Sequence, residues 1–169
     1  MQSLGFQLAE DGTRLREYFA KWCEESLPAK LPWGAGEFDL FLAVGHQLAR
    51  AQCESFASQV VSYNVDWVQI AGCDSQLVHD LVDQAAVASG RQAQVGEGSP
   101  MTSWHDDALD PEAMAETAYN CLGSTSRVLC LFIGDLPDAS KFVDRLKQLI
   151  RQTGPQVLPN TSLERTHER

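Results

Sequence analysis

The sequence predicts an α/β fold: a small three-layer sandwich around a mainly parallel sheet of three to four strands. Three observations carry this reading. Phe38 to Gly45 and Arg127 to Gly134 are nearly continuous apolar runs of strand length, as suits strands buried on both faces. Between and after them, apolar residues recur at helical spacing. Each predicted strand ends at a glycine before the next helix begins: Gly45, Gly72 and Gly134.

Taken in order, residues 1 to 9 add an edge strand, because Leu4, Phe6 and Leu8 alternate. From Thr13 to Glu24 the spacing of Leu15, Tyr18, Phe19, Trp22 and Cys23 predicts a helix with a charged opposite face. Two prolines and two glycines then make a loop, which Trp33 pins to the core. The strand Phe38 to Gly45 follows, then His46. A helix runs from about Gln47 to Tyr63 on the stripe Ala49, Cys53, Phe56, Ala57 and Val60.

Asp66 to Ala71 is the next strand, and Gly72-Cys73-Asp74 its turn, with Asp74 as N-cap of the helix reaching Ser89 or Gly90. Leu77, Val78, Leu81, Val82, Ala85 and Ala88 face inward on that helix. Gln76, His79, Asp80 and Asp83 share its other side. Arg91 to Asp110 is a long irregular stretch, and loops of that length inside a compact domain are usually functional. Asp110-Pro111-Glu112 starts a helix ending at Gly123. After the strand Arg127 to Gly134, Asp135 to Asp138 turns the chain into a last helix with Phe142, Val143, Leu146, Leu149 and Ile150 on its core face.

The simplest parallel arrangement puts the strand from Phe38 between the other two, giving the central order 2-1-3. Residues 1–153 form one domain, and the polar stretch 154–169 is read as a disordered tail.

Composition narrows the function. A net charge of -10 argues against nucleic-acid and membrane-surface binding, which need cationic surface. Between Asp66 and Glu116 stand ten carboxylates and one Arg. Such a span suits a basic partner protein, a cation or a cationic ligand; the plainer alternative is a solvated face that keeps the chain soluble. No apolar run approaches membrane-helix length, and the N-terminus lacks the pattern of a secretory signal, so the expected location is cytoplasmic. The five cysteines are spaced without a C-x-x-C pair, which argues against a disulfide framework or a cysteine-rich zinc site.

Four constellations are candidates. His79 and Asp83 are one helical turn apart, and His105, Asp106 or Asp107 would complete a divalent-metal site; a solvated acidic face is the alternative, and no cofactor is the expected state. Cys73, at a helix N-terminus, with His46 and Asp135 from adjacent strand ends, is a candidate nucleophile, base and orienting carboxylate; a plain turn cysteine is the alternative. Phosphate binding has no glycine motif of either common kind to support it. Trp104, with His105, Asp106, Asp107 and Asp80 around it, is a candidate protein-binding surface, an aromatic anchor in an acidic rim; a Trp104 buried to hold the loop is the alternative.

Two resemblances accompany these readings. Pro159-Asn160-Thr161-Ser162-Leu163-Glu164-Arg165-Thr166-His167-Glu168-Arg169 resembles C-terminal tails on proteins of bacterial integron gene cassettes, where translation runs into the recombination site. His79-Asp80-Leu81-Val82-Asp83 and Met101-Thr102-Ser103-Trp104-His105-Asp106-Asp107 look like an uncharacterised family of small bacterial α/β proteins, over roughly Asp66 to Ile150. The resemblance implies the fold and brings no catalytic residue with it. The leading expectation is an acidic accessory or binding protein that meets a basic partner. The alternatives are a small metal-dependent or cysteine hydrolase, and a small-ligand binder at the strand ends.

Overall fold

The computed structural model describes residues 1–8, 14–23, 36–63, 65–90, 101–105, 110–120, 125–134, 136 and 139–152. Its elements are β1 (Gln2–Leu8), β2 (Arg14–Cys23), β3 (Phe38–Val44), α1 (Arg50–Ser62), β4 (Val65–Gly72), α2 (Ser75–Ala88), β5 (Met101–His105), α3 (Pro111–Tyr119), β6 (Arg127–Ile133) and α4 (Ala139–Gln152). The six strands form one sheet in the order β1-β2-β6-β3-β4-β5. β1 runs antiparallel to β2, and every other neighbouring pair is parallel. The α/β class holds, and β3 lies between β4 and β6 as the 2-1-3 order requires. The sheet is larger than the three to four strands expected.

Two strands account for the difference. Arg14–Cys23 is β2, not a helix. Tyr18 and Ala20 are buried among the residues of α3 and α4, while Phe19 and Cys23 pack against the cluster that holds α1 and α2. A strand apolar on both faces loses its two-residue alternation, and here its apolar positions fell on a helical period. Met101–His105 is β5, inside the stretch read as irregular. It is a short, polar end strand, so it lacks the aliphatic run that marks a central one.

The sheet separates two apolar layers. Leu40, Leu42 and Val44 of β3, with Leu129, Leu131 and Ile133 of β6, pack with Cys53, Phe56 and Val60 of α1 and Val78, Leu81 and Val82 of α2. The alternate residues Phe41, Ala43, Val128, Cys130 and Phe132 pack with Met114, Ala115 and Ala118 of α3 and Phe142, Leu146 and Ile150 of α4. Phe142 stacks on Phe41 at 5.5 Å and meets Phe132 edge-on at 4.9 Å. All seven residues of β3 are buried, including Asp39.

The helix ends follow local chemistry. Asp110 caps α3 by accepting from the Glu112 N–H at 3.1 Å, with Pro111 at the first helical position. Helix α1 starts at Arg50, later than expected, and Gln52 Oε1 accepts from the Ala49 N–H at 2.8 Å. Ala49 itself is exposed rather than part of the buried stripe, and so is Ala88 on α2. Asp74 stands at the N-cap of α2, but its carboxylate points elsewhere: it accepts from the Leu48 N–H at 2.8 Å. The turn after β4 is thereby tied to the segment after β3. No helix among the described residues is long and apolar enough to cross a membrane.

Candidate functional site

The chain visits β3, β4 and β5 in one direction, then returns to place β6 on the other side of β3. Helices α1 and α2 therefore cover one face, and α3 and α4 the other. The carboxyl ends of β3 and β6 feed opposite faces, which makes them the topological switch point where α/β sheets open a crevice.

Backbone bonds knit these ends together. Gly45 N–H donates to the Ile133 carbonyl at 2.9 Å, Cys73 N–H to the Val44 carbonyl at 2.9 Å, and Gly134 N–H to the Cys23 carbonyl at 3.3 Å. The exposed His46 ring lies directly over Gly134, where a Cβ would run into its Nδ1. Gly134 also has φ +80°, so glycine is required there on two counts. The structure thus brings His46 to the end of β6. Cys73 is exposed at the neighbouring end of β4. Asp135, the third member of the expected trio, lies outside the described residues.

The second expected cluster gathers at the far edge of the sheet. The register sets Ile70 beside Trp104 and Ala71 beside His105. His79 Nδ1 is 3.1 Å from Asp80 Oδ1, and its Nε2 is 3.8 Å from Asp83 Oδ2. The Thr102 hydroxyl donates to Asp83 Oδ1 at 2.7 Å. The Trp104 and His79 rings meet edge-to-face at 6.3 Å. So β5 returns to α2 through Thr102 and Trp104, and Thr102 is a contact that the sequence reading did not single out. A hydroxyl two residues before the tryptophan, on the same strand face, was the available signal.

Trp104 remains 37% exposed despite this contact. Asp80 and Asp83 are more open still, with side chains 53% and 43% exposed. Both imidazole nitrogens of His79 face a carboxylate, an arrangement that holds the ring in place on the helix. Among the described residues no three His, Cys, Asp or Glu side chains come together as a metal-holding group. The side chain of His105, and Asp106 and Asp107 entirely, lie outside the described residues.

A third group was missed by sequence reasoning. Asp39 is fully buried in β3, and burial pushes its carboxyl up to about 6. The Arg16 charge and the nearby Thr125 hydroxyl ease it back, and Asp66 adds repulsion. The Thr125 hydroxyl donates to the Arg127 carbonyl at 2.8 Å. Among the described residues both Asp39 carboxylate oxygens lack a hydrogen-bond partner, as do the buried Gln69 Oε1, Trp67 Nε1, Ser103 Oγ and Arg145 Nε. The signal was present: an aspartate and a glutamine stand inside otherwise apolar strands, in Phe38-Asp39-Leu40 and Val68-Gln69-Ile70.

None of the described cysteines, Cys23, Cys53, Cys73 and Cys130, is in a disulfide. Burial raises the thiols of Cys53 and Cys23, which suits packing rather than reactivity. No curated protein matches the chain. A family model does: it covers residues 17–152, from β2 through the last turn of α4, so it spans the parallel sheet and all four described helices. The chain belongs to the family described as domain of unknown function DUF7684.

Proposed function

We propose that the chain is an accessory binding protein that receives a basic partner protein on the edge formed by α2 and β5. The observation that carries this reading is Trp104. It stands on the last strand of the sheet, is seated against His79, and keeps more than a third of its surface open beside Asp80 and Asp83. A half-exposed tryptophan in an acidic rim supplies an apolar anchor and an electrostatic guide together. The outer edge of β5 has no strand neighbour among the described residues, so an extended partner segment has backbone groups to pair with. The net charge of -10 favours a cationic partner and fast encounter at low salt. The tail Pro159–Arg169 supports an origin on bacterial mobile DNA, where an accessory role of this kind fits.

The test is calorimetric titration with an arginine-rich peptide able to form a strand. Wild type binds, Trp104→Ala weakens binding by about 10-fold or more, and Asp80→Asn with Asp83→Asn flattens the salt dependence. Binding that ignores both salt and Trp104 would sink the proposal.

A further inference from the structure

The outer edge of β5 has a hydrogen-bonding pattern set by the ladder behind it. In a parallel sheet both backbone groups of a residue point to the same side, and successive residues point to opposite sides. Cys73 N–H donates to the Val44 carbonyl of β3, so Val68, Ile70 and Gly72 on β4 direct their backbone groups the other way, towards β5. Val68 and Ile70 have Thr102 and Trp104 as register partners. A parallel ladder joins each such residue to the neighbours of its partner, not to the partner itself. Ser103 and His105 therefore bond to β4. Thr102 and Trp104 turn their N–H and C=O groups outward, where no strand pairs with them among the described residues.

The same two residues are the ones that α2 fixes. The Thr102 hydroxyl donates to Asp83, and the Trp104 ring meets that of His79, which is flanked by Asp80 and Asp83. Met101–His105 carries no proline, lysine or carboxylate, and it pairs with β4 without a bulge. Those are the devices that keep exposed edges from pairing. A segment laid along this edge points every second side chain towards α2, at intervals of about 7 Å. Asp80 and Asp83, three residues apart on the helix, have Cβ atoms about 5 to 6 Å from each other. Cations at alternate positions of an extended segment thus meet both carboxylates. Cations in an unbroken run would put every second one on the far face of the sheet.

We propose that this edge is a β-addition site for an extended protein segment with arginine or lysine at every second position, hydrogen-bonded to the backbone of Thr102 and Trp104. Resting on the reading that the α2–β5 edge receives a basic partner, the site specifies what that partner offers: a strand, rather than a folded basic surface or a flexible basic tail. Proline at the paired positions is excluded, because it brings no N–H.

Two short peptides of equal charge are compared by calorimetry, one with arginine at alternate positions and one with the same arginines in a block. The alternating peptide binds about 10-fold more tightly, and N-methylation of its alternate backbone nitrogens, in one of the two frames, removes that advantage. Amide exchange followed by NMR reads the edge itself. In the free chain the Thr102 and Trp104 N–H groups exchange fast and those of Ser103 and His105 slowly; the alternating peptide slows Thr102 and Trp104 by about 10-fold or more. Thr102→Pro gives up an N–H that β4 does not use, and binds the peptide about 10-fold more weakly than Thr102→Val, which loses the hydroxyl alone. Thr102 and Trp104 amides already protected in the free chain, or unmoved by a peptide that binds, overturn the site. Binding that then still depends on salt and Trp104 leaves the basic-partner reading standing. If neither peptide binds, both fall.

Discussion

Asp39 carries a carboxyl group into a strand whose seven residues are all buried. Its carboxyl titrates near 6 in the native state against 3.8 for an ordinary aspartate. Above about pH 6 both folded and unfolded chains carry the charge, and the folded one bears the cost of burying it. Between about pH 6 and 4 the folded chain takes up a proton that the unfolded chain does not, so acidification through this window stabilises the protein. Asp39→Asn is therefore expected to raise stability by about 1 to 3 kcal/mol at about pH 7.5, with the gain vanishing by about pH 4. Urea denaturation of both proteins at the two pH values checks it; a variant less stable than wild type at neutral pH contradicts it. Burial acts on Tyr18 in the same direction: desolvation raises its phenol, which stays protonated and donates to the Tyr119 carbonyl at 3.1 Å. Neither role is readable from residue type alone. An aspartate among apolar neighbours announces that it is unusual, but the partners that decide its charge come from β2, β4 and the segment before β6.

Single elements depend on a few contacts at their ends. Asp74 holds a left-handed backbone, φ 55°, and spends its carboxylate on the Leu48 N–H rather than on its own helix. That contact fixes how the segment leading into α1 sits against the start of α2. At the end of β6, Gly134 has His46 where a side chain would go. Gly134→Ala is expected to cost about 1 to 2 kcal/mol from the left-handed backbone, plus a smaller cost for displacing the ring. In a His46→Ala background the same change costs about 0.5 to 1 kcal/mol less. A thermal double-mutant cycle measures that coupling, and strict additivity would show that the ring does not rest on Gly134. The elements most legible in the sequence are those with one dominant period. β3 and β6 are nearly continuous apolar runs, and α1, α2 and α4 keep an apolar stripe. β2 was misread because both its faces are partly apolar. β5 was missed because an end strand of five residues needs no aliphatic run; its pairing is decided by β4 and α2, far away in sequence. For the same reason the sequence identified His79, Asp83 and Trp104 as notable, while their meeting depended on a strand it did not reveal.

At the scale of the molecule, the order of the sheet differs from the order of synthesis. β6 is the last of the described strands in the chain, yet it stands between β2 and β3 and pairs with both. Glu17 finds Arg127 as its partner, and Asp39 finds Val128. Until β6 arrives, the hairpin of β1 and β2 has no strand joining it to β3, β4 and β5. The sheet is closed by its final piece, as a keystone closes an arch. Pairings so distant in sequence slow folding, because a long loop must be ordered before its contacts return anything. A chain shortened to residues 1–126 is accordingly expected to lose the cooperative melt of the full protein, followed by circular dichroism, rather than to show a merely lower Tm. On the ribosome the same geometry means that the β1–β2 pair and the β3–β4–β5 group cannot join until β6 has emerged. The N-terminal hairpin, with Phe6, Leu15 and Trp22 on its surface, must wait through most of synthesis for its place.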